Sequence, residues 1–578
     1  ISARDVYTGR TLWKKTLKNV NTFGVYYDSS YKHDFRDLSY NQLHIPGANV
    51  RGTNFVAAKE HVYVLEGAQC HVLNAATGES IRTLSLPVRN GEQPKDWAYI
   101  GVFKDYLIGG LDFVRYSGLF EQNDKGVRKQ FSFLDKSASK QLVVMNRHTG
   151  RVLWTIDARH GFLHNGIVAG NDKIFCLDGI PPYIRKIAGD RRIDLGPRYR
   201  LLALEAGSGD TIWENTEDVF GSWLGYSAQY DILLQAYRKS RDMVWEPGDR
   251  MATYHGQSGK VIWDKKIDYN GPCILAGDRI ITQESAYSLL TGLQQMRKHP
   301  LTGELVRWQY SRNYGCDTPM ASENMLTFRS AAAGYLDLAG DSGTGNFGGF
   351  KSGCTSNLIV ANGVLNAPDY TRTCTCSYQN QTSLAMIEMP EVETWTFNSI
   401  EKSKAVVKRV GINFGAPGDR KADNGTLWLD YPSLGGKSPA LDVTIQPKKP
   451  TWFRRHSALL KDGNLKWVEA SGARGITSVS VKMVSGSGHN KEAKPYTVRL
   501  HFIEPDNIQP GRRLFDVALQ GKTVLEDFDI IKEIQSPDVG LMKEFTQINI
   551  SDTLTVSLKA TADDFETIIC GIEIIAED

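Results

Sequence analysis

Residues Ala3 to Trp13 read ARDVYTGRTLW, and the phrase returns as VMNRHTGRVLW at Val144 to Trp154, ALEAGSGDTIW at Ala203 to Trp213 and TYHGQSGKVIW at Thr253 to Trp263. Each copy sets a Thr-Gly or Ser-Gly pair shortly before a Trp. Glycine at the apex accepts the positive φ of a reversing chain, and a preceding Asp or Asn bonds the turn backbone, so the phrase predicts strand, tight turn, strand. Weaker copies are VLNAATGESIR ending at Arg82, AYSLLTGLQQM ending at Met296 and HPLTGELVRW ending at Trp308, where the Trp is lost or displaced. The turn glycines Gly9, Gly78, Gly150, Gly209, Gly259 and Gly292 lie 33 to 72 residues apart, a repeat with insertions of varying length.

An indole at a fixed offset from each turn packs against the neighbouring repeat, so each unit buries its surface only when stacked on the next. Four-stranded units stacked radially make a β-propeller. The pattern A-x-D-x-x-T-G-x-x-x-W resembles the tryptophan-docking motif of the pyrroloquinoline-quinone (PQQ)-like propellers. That family includes quinoprotein alcohol dehydrogenases and a non-catalytic propeller lipoprotein of outer-membrane assembly. The resemblance covers about residues 1 to 390 and implies an all-β chain with a propeller domain over 1–400, of six to eight blades with eight preferred. The N-terminal strands are expected to close the ring by completing a blade begun near residues 355 to 390.

At 578 residues the chain needs two or three domains. With 54 glycines, 10% aromatic residues and a net charge of +3, it carries no nucleic-acid footprint. Apolar runs such as Gly271 to Ile281 are shorter than the roughly 20 residues a membrane span needs. The chain opens directly on a repeat strand, so the sequence is expected to be a mature or trimmed product. Cys70, Cys176, Cys273 and Cys570 sit singly among apolar strand residues and read as buried thiols. Cys316, Cys354, Cys374 and Cys376 instead fall within 61 residues of a polar, Gly-rich stretch. Disulfides are preferred there over zinc, for want of CxxC spacing and neighbouring histidines, and three pairings stay open. There is no adjacent Cys-Cys pair, the vicinal disulfide that many quinone-dependent alcohol dehydrogenases carry beside the cofactor.

A second domain is expected over 408–578. Tyr496 to Pro505 alternates in strand fashion, Arg513 to Gly521 reads RLFDVALQG, Asp527 to Ile530 reads DFDI and Gly571 to Ile574 reads GIEI. This series resembles the malectin-like carbohydrate-binding β-sandwich. The resemblance implies a saccharide ligand held by aromatic faces, with Asp and Asn taking hydroxyl hydrogen bonds. Phe414 and Trp428 read as core, whereas Tyr431 beside Pro432 and Trp452-Phe453 beside Pro450 read as more exposed binding residues.

Between the two lies a Cys-rich insert at about 312–381, too polar for propeller strands alone. Its Arg329, Arg372 and Lys351 suit the carboxylates or sulfates of an acidic sugar, and Asn346 suits its hydroxyls. Tyr370, Tyr378 and His164, the last expected at the propeller mouth, are candidate acid and base groups. With an arginine to neutralise a uronate, they are the groups a β-eliminating polysaccharide lyase needs. The whole arrangement is similar to large secreted proteins of planctomycete-type bacteria, which implies an extracytoplasmic (periplasmic or secreted) location.

The preferred function is therefore secreted carbohydrate binding, with polysaccharide processing open. The alternatives are a quinone-dependent sugar or alcohol dehydrogenase and a non-catalytic cell-envelope scaffold with protein partners on its propeller faces. The cofactor is undetermined: calcium stays open, and PQQ is not preferred without the vicinal cysteines.

Overall fold

The computed structural model describes residues 1–18, 52–88, 91–116, 136–196, 199–239, 245–313, 315, 318–348, 350, 358–367, 384–387, 389, 392–398, 400, 403–433, 441–484 and 492–577. It divides into two compact units, one of residues 1–295, 313–333 and 348–387 and the other of residues 296–312, 334–347 and 388–578.

The first unit is built of meandering antiparallel sheets in which each strand pairs with the next in sequence. Phe55–Ala57, His61–Glu66, Gln69–Asn74 and Ser80–Ser85 form one sheet, and Trp223–Ser227, Ile232–Ala236, Arg250–His255 and Val261–Lys266 form another. Between them a seven-stranded sheet runs from Trp97–Phe103 to Thr211–Asn215. Its fourth strand, Val152–Gly170, serves two partners: Ala138–Asn146 along its first part and Lys173–Asp178 along its last. The register breaks between Asp157 and Phe162. There the fully buried Asp178 carboxylate accepts the backbone N–H groups of Arg159, His160 and Gly161 and binds Arg200 Nε at 2.7 Å. Donors that the irregular strand would otherwise leave unpaired are satisfied by one charge.

The repeated phrase does what its spacing predicts. Gly9, Gly78, Gly150, Gly209, Gly259 and Gly292 all have φ between +65° and +78°. Where Asp or Asn opens the turn, it bonds it: Asp5 Oδ1 accepts the N–H groups of Tyr7 and Thr8, and Asn74 and Asn146 repeat the pattern. Each Trp then docks on the next repeat. Trp13 covers Gly78, Trp154 covers Gly209, Trp213 covers Gly259 and Trp263 covers Gly292, so closely that a Cβ there would lie 2.5 to 2.9 Å from the indole. Their Nε1 groups donate to the carbonyls of Ala75, Ala206, Gly256 and Leu289, each three residues before the covered glycine, at 2.8 to 2.9 Å. In the copy that lacks Trp, Leu84 covers Gly150 instead. Consecutive repeats are thus spatial neighbours. The Tyr7 hydroxyl donates to the Asn362 carbonyl in the turn between strands Ile359–Ala361 and Val364–Ala367, but among the described residues Ser2–Arg4 and Thr11–Lys14 pair only with each other and do not join that sheet as the expected blade closure would have them do.

Cys70, Cys176, Cys273 and Cys570 are buried free thiols, as their apolar surroundings imply. Burial pushes the Cys70 thiol up to about 12 and raises the others. The four disulfide candidates, Cys316, Cys354, Cys374 and Cys376, lie outside the described residues.

The second unit is a β-sandwich. A six-stranded sheet runs in the order Arg420–Lys421, Leu427–Tyr431, Arg409–Phe414, Gly571–Ala576, Lys494–Ile503, Gly540–Ile550. A five-stranded sheet runs Val443–Gln446, Ser478–Lys482, Thr553–Ala560, Phe515–Leu519, Lys522–Phe528. Period-2 alternation sends Val498, Leu500 and Phe502, Ile572 and Ile574, and Phe515, Val517 and Leu519 into one apolar core. Phe414 is in this core as expected, and Trp428 is also fully buried. The hairpin of strands Met296–Lys298 and Leu305–Arg307, the copy whose Trp is displaced, belongs to this unit. Its Leu301 enters the sandwich core, and the Leu301 carbonyl accepts the N–H groups of Lys408 and Arg409.

Candidate functional site

The alternation that fills the sandwich core also decides what the opposite face of the six-stranded sheet displays. Arg499 and His501 point there from strand Lys494–Ile503, and Glu573 points there from Gly571–Ala576, directly opposite Arg499 in register. Trp428 lies on the same face. Glycines make room for it, since a Cβ at Gly411 would meet its indole at 2.1 Å and one at Gly571 at 2.8 Å. The short helix Lys466–Glu469 packs over this indole through Val468. An open cleft of about 410 Å³ remains beside the helix, lined chiefly by Arg420, Asn424, Trp467, Arg499, His501 and Glu573.

The cleft is electrostatically built. Glu573 accepts hydrogen bonds from Thr426 Oγ1, Asn424 Nδ2 and Arg499 Nη1 at 2.5, 3.0 and 2.9 Å. Burial alone would raise its carboxyl, but these donors outweigh burial and hold it below the usual carboxylate range. Arg499 bridges onward to Glu544 at 2.6 Å. His501 Nδ1 lies 3.1 Å from Glu469 Oε1, and both residues are almost fully buried. The outer nitrogen, His501 Nε2, has no hydrogen-bond partner among the described residues, and neither has Trp428 Nε1. At the rim the Arg420 guanidinium lies 4.9 Å from the Trp467 ring centre and 5.8 Å from that of Trp395. Burial lowers the Arg420 pKa against the pull of Glu393 and Asp423. A half-exposed indole with hydrogen-bonding groups around it can take a flat, hydroxylated ligand.

The residues expected to bind sugar from the sequence fall elsewhere in the same unit. Tyr431 and Trp452 stand with ring centres 6.2 Å apart, and both, with Phe453, are half-buried against the sandwich core. Trp452 and Phe453 lie on strand Thr451–Arg454, which pairs with Ser471–Arg474, and Tyr431 ends strand Leu427–Tyr431; none of the three lines the cleft. Arg474 covers the Phe453 ring at 5.2 Å.

Of the proposed catalytic residues, only His164 and Arg329 lie among the described residues. His164 is 4% exposed, inside the long strand, with Nε2 2.9 Å from Ser139 Oγ and its ring beside Tyr99 and Phe113. It is therefore interior rather than at a propeller mouth, because the chain continues as strand through its position. Arg329 is 1% exposed on strand Met325–Ser330. Asn346, exposed on Thr344–Asn346, belongs to the other unit. Lys351, Tyr370, Arg372 and Tyr378 lie outside the described residues. Among the described residues no three His, Cys, Asp or Glu side chains group as metal ligands.

Comparison with known proteins meets the same two units. A family profile described as Malectin domain matches residues 488–572, and one described as Outer membrane protein assembly factor BamB, of the PQQ class, matches residues 126–272. The chain joins a PQQ-like propeller to a malectin-like domain. Receptor-like protein 4 of Arabidopsis thaliana is 41% identical over 81 residues, 14% of this chain; the chain spans 13% of that relative's length. Among solved structures, BamB from Moraxella catarrhalis is similar over 60% of this chain and 81% of its own, at 13% identity and a TM-score of 0.32. The plant peptide RALF23 complex with FER and LLG2 is similar over 31% of this chain and 51% of that one, at 18% identity and a TM-score of 0.24. The malectin profile contains Arg499, His501 and Met542 of the cleft, and Glu573 follows it by one residue. No helix among the described residues is long and apolar enough to cross a membrane.

Arg499 and His501 lie in the alternating stretch Tyr496 to Pro505, and Glu573 lies in GIEI, segments that carry the malectin-like resemblance but give these residues no role by themselves. The signal for one was present. In strands whose alternate residues are core, a run of Arg, His and Glu on the intervening positions marks a polar face. Trp467 and Arg420 carry no such pattern and meet only through the fold.

Proposed function

We propose that this chain is an extracytoplasmic saccharide-binding protein whose malectin-like unit binds through the cleft of Trp467, Arg420, His501 and Asn424. The observation that carries this reading is one open volume that Arg499, His501 and Met542 of the malectin-matched segment line together with the partly exposed Trp467 indole, Arg420 and Asn424. Trp467 supplies the stacking face, Arg420 is held in place by two indoles, and the Asn424–Glu573–Arg499 network fixes the floor. Tyr431 and Trp452 form a second aromatic pair in the same unit. The proposal assigns no reaction to the propeller unit.

The test is a glycan array probed with the full chain, followed by titration of the best ligand by intrinsic tryptophan fluorescence. Trp467→Ala is expected to weaken binding at least about tenfold, near 1.4 kcal/mol. Tyr431→Ala is expected to change it less than threefold. Undiminished affinity in Trp467→Ala would move the site away from this cleft, and no retention on any saccharide would end the reading.

A further inference from the structure

A second cavity lies in the malectin-like unit, a groove of about 380 Å³ whose lining contains Arg297, Lys298, Lys408, Arg409 and Lys421 against, among the described residues, a single carboxylate, Asp341. That carboxylate is already taken by Arg297 Nη1 at 2.9 Å. Lys421 Nζ donates to the Gly340 carbonyl and Arg409 Nη1 to the Asn424 carbonyl, bonds that fix both side chains and leave their charges unneutralised. Lys298 and Lys408 are exposed and make no side-chain hydrogen bond or ion pair among the described residues. Lys408 stands over the Thr-Gly turn, its Cδ 3.8 Å from where a Gly303 Cβ would be. The displaced repeat hairpin, anchored by Leu301, thus sets Arg297 and Lys298 beside Lys408 and Arg409.

The groove adjoins the saccharide cleft. Lys421 lines both, and Asn424 of the cleft adjoins Gly425 of the groove. Arg420, whose guanidinium has ring contacts but no hydrogen bond among the described residues, stands at the cleft's rim. Like charges held this close repel one another and cost stability unless a ligand spreads the opposite charge among them.

We infer that the groove is an anion-binding extension of the saccharide site, so that the ligand is an acidic polysaccharide whose carboxylate or sulfate-ester groups meet Lys298, Lys408, Arg409 and Lys421 while one sugar ring lies on Trp467. This rests on the saccharide reading above and adds the ligand's charge class. Lysine ammonium groups suit a polyanion because they act as point charges and tolerate varied spacing.

Paired probes separate charge from sugar. Binding of the full chain is measured with polygalacturonate and its fully methyl-esterified form, and with dextran sulfate and dextran. At least one acidic member is expected to bind ten times more tightly than its neutral partner, with an affinity that falls on raising salt from 50 to 500 mM. The double variant Lys298→Gln/Lys408→Gln is expected to lose about tenfold in acidic affinity and part of the salt dependence, with an unchanged circular dichroism spectrum because both lysines are exposed. Preference for dextran sulfate assigns the charge to sulfate esters, and preference for polygalacturonate assigns it to carboxylates; either supports the inference. Equal binding of charged and neutral partners would overturn it while leaving the saccharide reading intact. Failure of all four polymers, together with an empty glycan array, would overturn both. Equal retention of a single-stranded DNA oligomer would overturn the saccharide selectivity claimed for the groove, as would an unaffected double variant.

Discussion

The repeat tryptophans of the propeller unit and Trp467 of the malectin-like unit are used in opposite ways. In the propeller unit, Trp13, Trp154, Trp213 and Trp263 are spent on neighbours, each lying flat on a glycine and donating its N–H to a carbonyl three residues earlier. In the malectin-like unit, Trp467 stays half-exposed beside Arg420, and the buried Trp428 keeps an N–H without a partner under the cleft. An indole docked on a neighbour locks a fold, whereas a partly exposed one lining an open volume is available to a ligand. The difference teaches where to look for function in a chain rich in both.

The largest effect should come from breaking the lock. Trp154→Ala removes a buried indole and the bond to Ala206, and should destabilise the propeller unit by roughly 4 kcal/mol. Hydrogen-exchange mass spectrometry should show lost protection along Val152–Gly170 and Arg200–Glu205 with none in Lys494–Ile503. Loss in both units alike would break the contrast.

Gly209→Ala should cost about 3 kcal/mol, because its Cβ combines a left-handed backbone with a clash against the Trp154 indole. Gly277→Ala separates the two causes. Gly277 has φ +61° but nothing within 4 Å of a Cβ, so it should cost only about 1 kcal/mol, the backbone share. Equal midpoints in urea for the two variants would show that the indole contact carries no weight.

A smaller effect concerns acid. The Glu573 carboxyl is held below its usual range in the folded state, so the unfolded chain binds more protons in that window and folding stability falls as pH drops below the ordinary glutamate range. Thr426→Val removes one of the donors and should flatten this acid limb, raising the folded pKa toward the unfolded one. Urea midpoints between pH 3 and 6 check it. An identical slope in variant and parent would show that the network under the cleft is not what holds the charge.

Legibility followed the same division. The repeat's fold was open to reading because its determinants lie within eleven residues: the turn glycine, the Asx or Ser that bonds the turn, and the indole four positions on. The strands of the sandwich were equally plain from alternation, and Phe414 and Trp428 were recognised as core. The cleft was not. Tyr431, Trp452 and Phe453 were chosen for proline neighbours, a local cue, and none of them lines it. His164 was chosen for its place after a motif strand, yet that strand runs on through it.

What the sequence determined alone is whatever depends on short separations: the hairpins, the order of the repeats, and which face of each strand is apolar. Tertiary structure decided the cleft and the groove, because Arg420, Trp467, Arg499 and Glu573 are brought together over 154 positions, and Lys298 reaches Lys408 only when Leu301 enters the sandwich core. Local conformational preference acts over a few residues and can be read along the chain. Convergence of distant charges follows from burying apolar surface elsewhere, and it becomes visible only once that burial has fixed where the strands lie.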